Sequence, residues 1–155
     1  YLESIERYLA RHGKPAQPAT PPGAEHLLKV LIVEDDAVTL AVIRAAIDSW
    51  HLPMECVYMD SGVKALLEIG ALRPQVLVTD LMMPGVDGFD LVATLDRDPS
   101  FASLLIVAIT ALSADDIEAK GGLPARVQVQ RKPLDLSWLR GFFSALVAQR
   151  RFAGD

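Results

Sequence analysis

Five polar residues of this sequence stand where a hydrophobic run stops. Glu34 and Asp35 follow Lys29-Val30-Leu31-Ile32-Val33, and Asp80 follows Val76-Leu77-Val78-Thr79. Thr110 follows the run from Leu104 to Ile109, and Lys132 follows an alternating stretch from Arg126 to Arg131. A short apolar run closed by turn residues reads as a buried parallel strand. Open α/β sheets keep their chemistry at the carboxyl edge of such strands. Three carboxylates at one edge repel: at about 5 Å and an effective dielectric of about 20, each pair costs roughly 3 kcal/mol. Either one carboxyl keeps its proton or a cation joins them. An all-oxygen site with few protein ligands and room for water suits Mg2+. Together with Lys132, such a cation can neutralise a phosphoryl group placed on Asp80, and Thr110 can donate its hydroxyl to a phosphoryl oxygen. An aspartate can be the nucleophile of that transfer, forming an acyl phosphate.

The elements that must position these residues alternate in kind. After the first strand, Leu40, Ile43, Ile47 and Trp50 form one helical stripe, broken at His51-Leu52-Pro53. Met54 to Met59 is a second strand. Asp60 or Ser61 can cap a helix from Gly62 to Ala71, whose expected inner face is Val63, Leu66, Leu67 and Gly70. The third strand runs into Asp80, and Pro84, Gly85 and Gly88 mark a turn. The next helix carries Phe89, Val92 and Leu95, and Asp98-Pro99-Ser100 is a turn before the fourth strand. A short helix from about Ala114 to Lys120 meets the breaker cluster Gly121-Gly122-Leu123-Pro124. Val127 and Val129 alternate with polar residues, which predicts an edge strand with one wet side. The last helix is expected from about Asp135 to Arg150, packing Leu139, Phe143, Leu146 and Val147 inward. Five strands alternating with five helices predict a parallel sheet covered on both faces, because each crossover is right-handed and carries a helix.

The 155 residues suffice for one full core, and about half of them are apolar. A net charge of −5 argues against a nucleic-acid surface on this segment. The single Cys56 excludes an internal disulfide or a cysteine metal cluster. No apolar run reaches the roughly 18 residues that span a bilayer, and the expected setting is cytoplasmic. Residues 1–12 read as the end of a helix with Leu2, Ile5 and Leu9 on one stripe, stopped by Gly13 and Pro15. This is either a helical tail or a dimerisation or docking helix. Pro15, Pro18, Pro21, Pro22 and Gly23 then make a semi-rigid linker. The expected division is a tail and linker over 1–25 and a domain over 27–151. The start at Tyr1 predicts a piece of a longer protein.

In spacing and residue types the chain resembles the receiver domains of two-component response regulators. Glu34-Asp35 resembles the family's acidic pair. Thr79-Asp80-Leu81-Met82-Met83-Pro84-Gly85-Val86-Asp87-Gly88 resembles its phospho-acceptor motif, Thr110-Ala111 its switch hydroxyl, and Lys132-Pro133 its lysine with a following cis proline. The separations are 45 residues from Asp35 to Asp80, 30 to Thr110 and 22 to Lys132. The resemblance covers about residues 28–150. It implies a flavodoxin-like (βα)5 doubly wound sheet in the order 2-1-3-4-5, and phosphoryl transfer from a histidine kinase or phosphotransfer protein to Asp80. It also implies Mg2+ held by Asp35, Asp80 and the backbone carbonyl of Met82, with Glu34 acting through a metal-bound water. The tail and linker put any further output or kinase domain upstream, and a homodimer is a candidate assembly. Asp36 is read as the cap of the first helix and Asp87 as a turn and cap residue.

Three departures qualify the resemblance. Val129 stands where receivers carry an aromatic ring three residues before the lysine. The segment from Thr110 to Lys132 should hold a short or mobile helix, which puts the usual dimer contacts in doubt. Met82 and Leu112 offer no group to orient an attacking water, which predicts a long-lived phospho-Asp80. The leading reading is a signalling switch rather than a turnover enzyme. The alternative is a phosphorylation-independent pseudo-receiver that binds a partner. A phosphatase with an aspartyl nucleophile wants a second acid where Met82 stands. A nucleotide- or flavin-binding domain wants a glycine-rich turn where Glu34-Asp35-Asp36 stand.

Overall fold

The computed structural model describes residues 27–153. Its parallel sheet comprises β1 (Leu28–Val33), β2 (Met54–Met59), β3 (Val76–Asp80), β4 (Leu105–Thr110) and β5 (Gln128–Arg131), in the order β2-β1-β3-β4-β5. The helices are α1 (Ala37–Trp50), α2 (Gly62–Leu72), α3 (Gly88–Asp96), α4 (Ala114–Ala119) and α5 (Leu136–Ala153), and a 3-10 turn at Pro99–Phe101 precedes β4. This is the doubly wound, flavodoxin-like architecture expected from the sequence. No helix among the described residues is long and apolar enough to cross a membrane.

The strands read as continuous apolar runs because both faces are covered. Successive side chains point to opposite sides. Val30, Ile32, Val78, Val107 and Ile109 therefore pack under α1 and α5 with Ile43, Ile47, Leu139 and Phe143. Leu31, Val33, Leu77, Ile106 and Ala108 pack under α2 and α3 with Leu66, Ile69, Leu91 and Leu95. Each fully buried side chain of this size contributes about 1.5–3 kcal/mol. By that measure α4 is the weakly held helix, since none of its residues is buried. A capping box between Ser113 and Asp116 stabilises its first turn by about 1 kcal/mol.

Register delivers the strand ends together. Val33 pairs with Thr79, Asp80 with Ile109, and Thr110 with Arg131. Glu34, Asp80, Thr110 and Lys132 thus leave the sheet at one edge.

Three expectations need correction. The inner face of α2 is Gly62, Ala65, Leu66 and Ile69, whereas Val63 and Leu67 are 41% and 60% exposed and Gly70 is exposed. Either stripe fits a helical period. The one that wins fills the space above β1 and β3, where Gly62 also meets the Val86 carbonyl too closely for any side chain. The strand expected from Arg126 begins instead at Gln128. The Val127 N–H donates to the Pro124 carbonyl at 3.0 Å, so residues 124–127 close a turn. Leu146, expected inside, is half-buried. The helix and linker expected over residues 1–25 lie outside the described residues.

Candidate functional site

Glu34 and Asp80 are 2% and 3% exposed at the ends of β1 and β3, and Asp35 beside them is exposed. The three carboxylates each present an oxygen within 4.8 Å of the others. Among the described residues one cation faces them: Lys132 Nζ lies 2.8 Å from Asp80 Oδ2 and 3.8 Å from Glu34 Oε2. Three negative charges against one positive leave the cluster short of compensation.

Backbone groups hold the carboxylates in place. The Met82 N–H donates to Asp80 Oδ1 at 3.0 Å, and the Asp36 N–H donates to Glu34 Oε1 at 3.1 Å. Asp36 itself caps α1, accepting from the Thr39 N–H at 3.0 Å and from the Thr39 hydroxyl. These bonds hold the Asp36 carboxyl below the usual range. Asp36 is thus the helix cap that its position after the acidic pair suggested, and Asp87 likewise caps α3.

Burial pushes the Glu34 carboxyl up to about 7, and the charge on Asp80 adds to the push, against the opposing Asp36 N–H and Lys132. Burial draws the Lys132 ammonium down, but its bond to Asp80 and the nearby charges of Asp80, Glu34 and Asp35 together hold it above its usual value. The geometry therefore answers the crowding in two ways: a lysine is drawn in, and burial raises the Glu34 carboxyl toward neutrality.

Thr110 is fully buried at the end of β4, and its carbonyl accepts from the Lys132 N–H at 2.8 Å. Its Oγ1 accepts from the Leu112 N–H at 3.0 Å, so the hydroxyl hydrogen is available for another acceptor. The Lys132–Pro133 bond is cis. The side chains singled out in the sequence, Glu34, Asp35, Asp80, Thr110 and Lys132, therefore share one edge. The Met82 side chain is half in solvent while its N–H serves Asp80. Val129 pairs with Ala108 in register and is 38% exposed.

Two supports were not foreseen. A Cβ on Gly88 would lie 2.4 Å from the Asp80 carbonyl oxygen and 2.5 Å from Leu81 Cα, so only glycine lets α3 start against the end of β3. Gly88 had read as a turn marker, and the Asp87-Gly88 pair was the available signal. Arg126 donates from Nη1 to the Ala102 carbonyl and from Nη2 to the Phe101 carbonyl, both at 3.0 Å, and its Nε lies 3.3 Å from Asp96 Oδ1. It pins the start of β5 to the 3-10 turn, and no local sequence pattern announces it.

The family model for the response regulator receiver domain matches residues 30–139. Response regulator PleD of Caulobacter vibrioides is 28% identical over 107 residues, which are 69% of this chain and 23% of PleD. Heme response regulator HssR of Staphylococcus aureus is 32% identical over 87 residues, 56% of this chain and 38% of HssR. The chain thus spans well under half the length of these curated relatives. Among solved structures, the isolated REC domain of RcsB from Salmonella enterica serovar Typhimurium, determined with the phosphomimetic BeF3−, superposes with a TM-score of 0.64 at 25% identity, covering 77% of this chain and 88% of that one. A signal receiver domain from Colwellia psychrerythraea 34H gives 0.67 at 25%, covering 78% and 98%. With this edge, this strand order and a family match over residues 30–139, the chain belongs to the response regulator receiver domain family.

Proposed function

We propose that the chain is a phosphoacceptor module of a two-component phosphorelay, with Asp80 as the acceptor. The supporting observation is the Lys132–Asp80 contact of 2.8 Å inside a three-carboxylate cluster. One Asp80 carboxylate oxygen attacks the phosphorus of a phosphohistidine. The new P–O bond forms as the P–N bond breaks, and the imidazole leaves with a proton. The product is an acyl phosphate on Asp80. Lys132 is placed to compensate its charge. Thr110 donates its hydroxyl hydrogen to a phosphoryl oxygen in this reading, which would link the acceptor state to the β4–α4 connection through the Leu112 N–H.

The donor set suits Mg2+: hard oxygens only, an uncompensated negative charge, and an exposed Asp35 that leaves room for water. Asp35, Asp80 and the Met82 carbonyl would hold the ion directly, and Glu34 through water. Bound there, Mg2+ supplies positive charge to the phosphoryl oxygens during transfer. Beside the cluster, Val38 and Val42 on α1 are 72% and 52% exposed. This apolar pair fits a helix of the phosphoryl donor, a histidine kinase or a phosphotransfer protein. The module is a cytoplasmic switch rather than a turnover enzyme in this reading.

The test is incorporation of one phosphate from acetyl phosphate with Mg2+, read by intact mass. Asp80→Asn loses it. Chain that takes up no phosphate under these conditions, and none from any phosphohistidine donor, is instead a pseudo-receiver.

A further inference from the structure

Thr79 is fully buried one residue before Asp80. It shares the alternation of Leu77 and Leu81, whose side chains pack on the α2–α3 side of the sheet with Leu31, Leu91 and Leu95. A hydroxyl in such a layer costs free energy unless it is hydrogen-bonded. Valine has nearly the same shape, suits a strand equally well and carries no such cost. The Thr79 hydroxyl does have a partner: it donates to the Asp80 carbonyl oxygen at 2.9 Å.

That carbonyl lies where the sheet stops supplying donors. β1 pairs with β3 only as far as Val33 opposite Thr79. On the other side, β4 serves the following N–H, which Leu81 donates to the Ile109 carbonyl at 3.2 Å. The start of α3 closes over the oxygen, since a Cβ on Gly88 would lie 2.4 Å from it. Buried carbonyls need a donor, and among the described residues the Thr79 hydroxyl is the one that reaches this carbonyl.

The peptide joining Asp80 to Leu81 is therefore gripped at both ends, its carbonyl by Thr79 and its N–H by Ile109. The Leu81 carbonyl beyond it accepts from the Gly88 N–H at 2.9 Å. A planar peptide held at both groups has a fixed orientation. That orientation sets where the Met82 N–H points. The Met82 N–H donates to Asp80 Oδ1 at 3.0 Å, while Lys132 Nζ lies 2.8 Å from Oδ2. The two carboxylate oxygens are thus told apart: one is tethered to the backbone and the other faces the lysine. Without the Thr79 bond the peptide can tilt, Oδ1 loses its tether, and the carboxylate turns about its own axis.

We propose that Thr79 is a positioning residue for Asp80. Its hydroxyl fixes the Asp80–Leu81 peptide and, through the Met82 N–H, aims the carboxylate at the incoming phosphorus. The proposal rests on Asp80 being the phosphoacceptor. Thr79 bonds the main chain and not the carboxylate, and it transfers no proton.

The experiment compares the full chain with Thr79→Val, Thr79→Ser and Thr79→Ala. Phosphate uptake with Mg2+ is followed by intact mass over a range of acetyl phosphate concentrations. The Met82 amide is followed by 1H–15N NMR in the Mg2+-free protein. Thr79→Val should lower the maximal rate by about tenfold, leave the half-saturating acetyl phosphate concentration unchanged and displace the Met82 amide resonance. Thr79→Ser should restore both rate and resonance. If Thr79→Val does not fold, Thr79→Ser and Thr79→Ala, which differ by the hydroxyl alone, make the same comparison. A phosphorylated parent matched in maximal rate by Thr79→Val overturns the proposal alone. A Thr79→Ser chain no faster than Thr79→Ala also overturns it. A parent that takes up no phosphate from acetyl phosphate or from a phosphohistidine donor overturns the phosphoacceptor assignment, and this proposal with it.

Discussion

Lys132 and Asp80, 52 residues apart in sequence, meet at 2.8 Å, while the same ammonium lies 3.8 Å from Glu34. One lysine thus serves two buried carboxylates that the sheet forces together. Lys132→Met removes the charge facing the phosphoryl group. Phosphorylation by acetyl phosphate, followed by intact mass, should slow by about 100-fold or more. The Mg2+-free protein should also lose about 1–2 kcal/mol of stability in urea, a value reduced from the buried-pair figure because the lysine is one-third exposed.

Glu34 makes stability depend on pH. Its carboxyl sits at about 7 against an ordinary 4.5, so the folded state binds this proton more tightly than the unfolded chain. Its stabilising effect is full below pH 4.5 and is lost as pH rises through 7. The loss reaches at most about 3 kcal/mol. Denaturant titrations across that window should show this slope in the Mg2+-free protein and not in Glu34→Gln. Mg2+ competes with the proton, so added Mg2+ should raise the Tm clearly at pH 8 and little at pH 5.5. An equal rise at both pH values would contradict the assignment of Glu34 to the ion's surroundings.

Gly88→Ala tests the packing under the acceptor. The added Cβ meets backbone, not a side chain that can turn away. The expected cost is about 1–3 kcal/mol, seen as a lower Tm, together with slower phosphorylation because the end of β3 must shift.

Arg126→Ala should free the segment that carries α4. Two charge-assisted bonds to the 3-10 turn disappear, at a local cost of about 1.5–3 kcal/mol. Amide exchange over residues 111–131 should accelerate, with β1 and β3 unaffected. In the parent protein, beryllofluoride should slow exchange over that same segment. No change there would show that ordering of α4 does not report the state of Asp80.

Phospho-Asp80 should be long-lived. Met82 and Leu112 flank the site and carry no group able to position a water. Loss of label with a half-life of seconds in Mg2+ would contradict this.

The strands and the gathering of polar residues at one edge were legible because each was written locally. Continuous apolar runs appear only where both faces are buried, and the polar residues that close them meet at one end of the sheet. Asp36 and Asp87 were recognisable as caps from their place before a helix. The outer and inner stripes of α2 were not separable, because Val63-Leu67-Gly70 and Ala65-Leu66-Ile69 satisfy the same period and only the sheet decides between them. Arg126 was invisible for a related reason: its partners are carbonyls of Phe101 and Ala102, and a backbone acceptor leaves no mark on sequence.

The bareness of α4 has a consequence for how such a module diversifies. A helix with no side chain in the core is under little packing constraint. Its outward residues can change in number and sign while Asp80, Lys132 and the strands that hold them stay in place. Surface change on α4 is thereby separable from the acidic edge, and a duplicated copy of this chain can vary the one without disturbing the other.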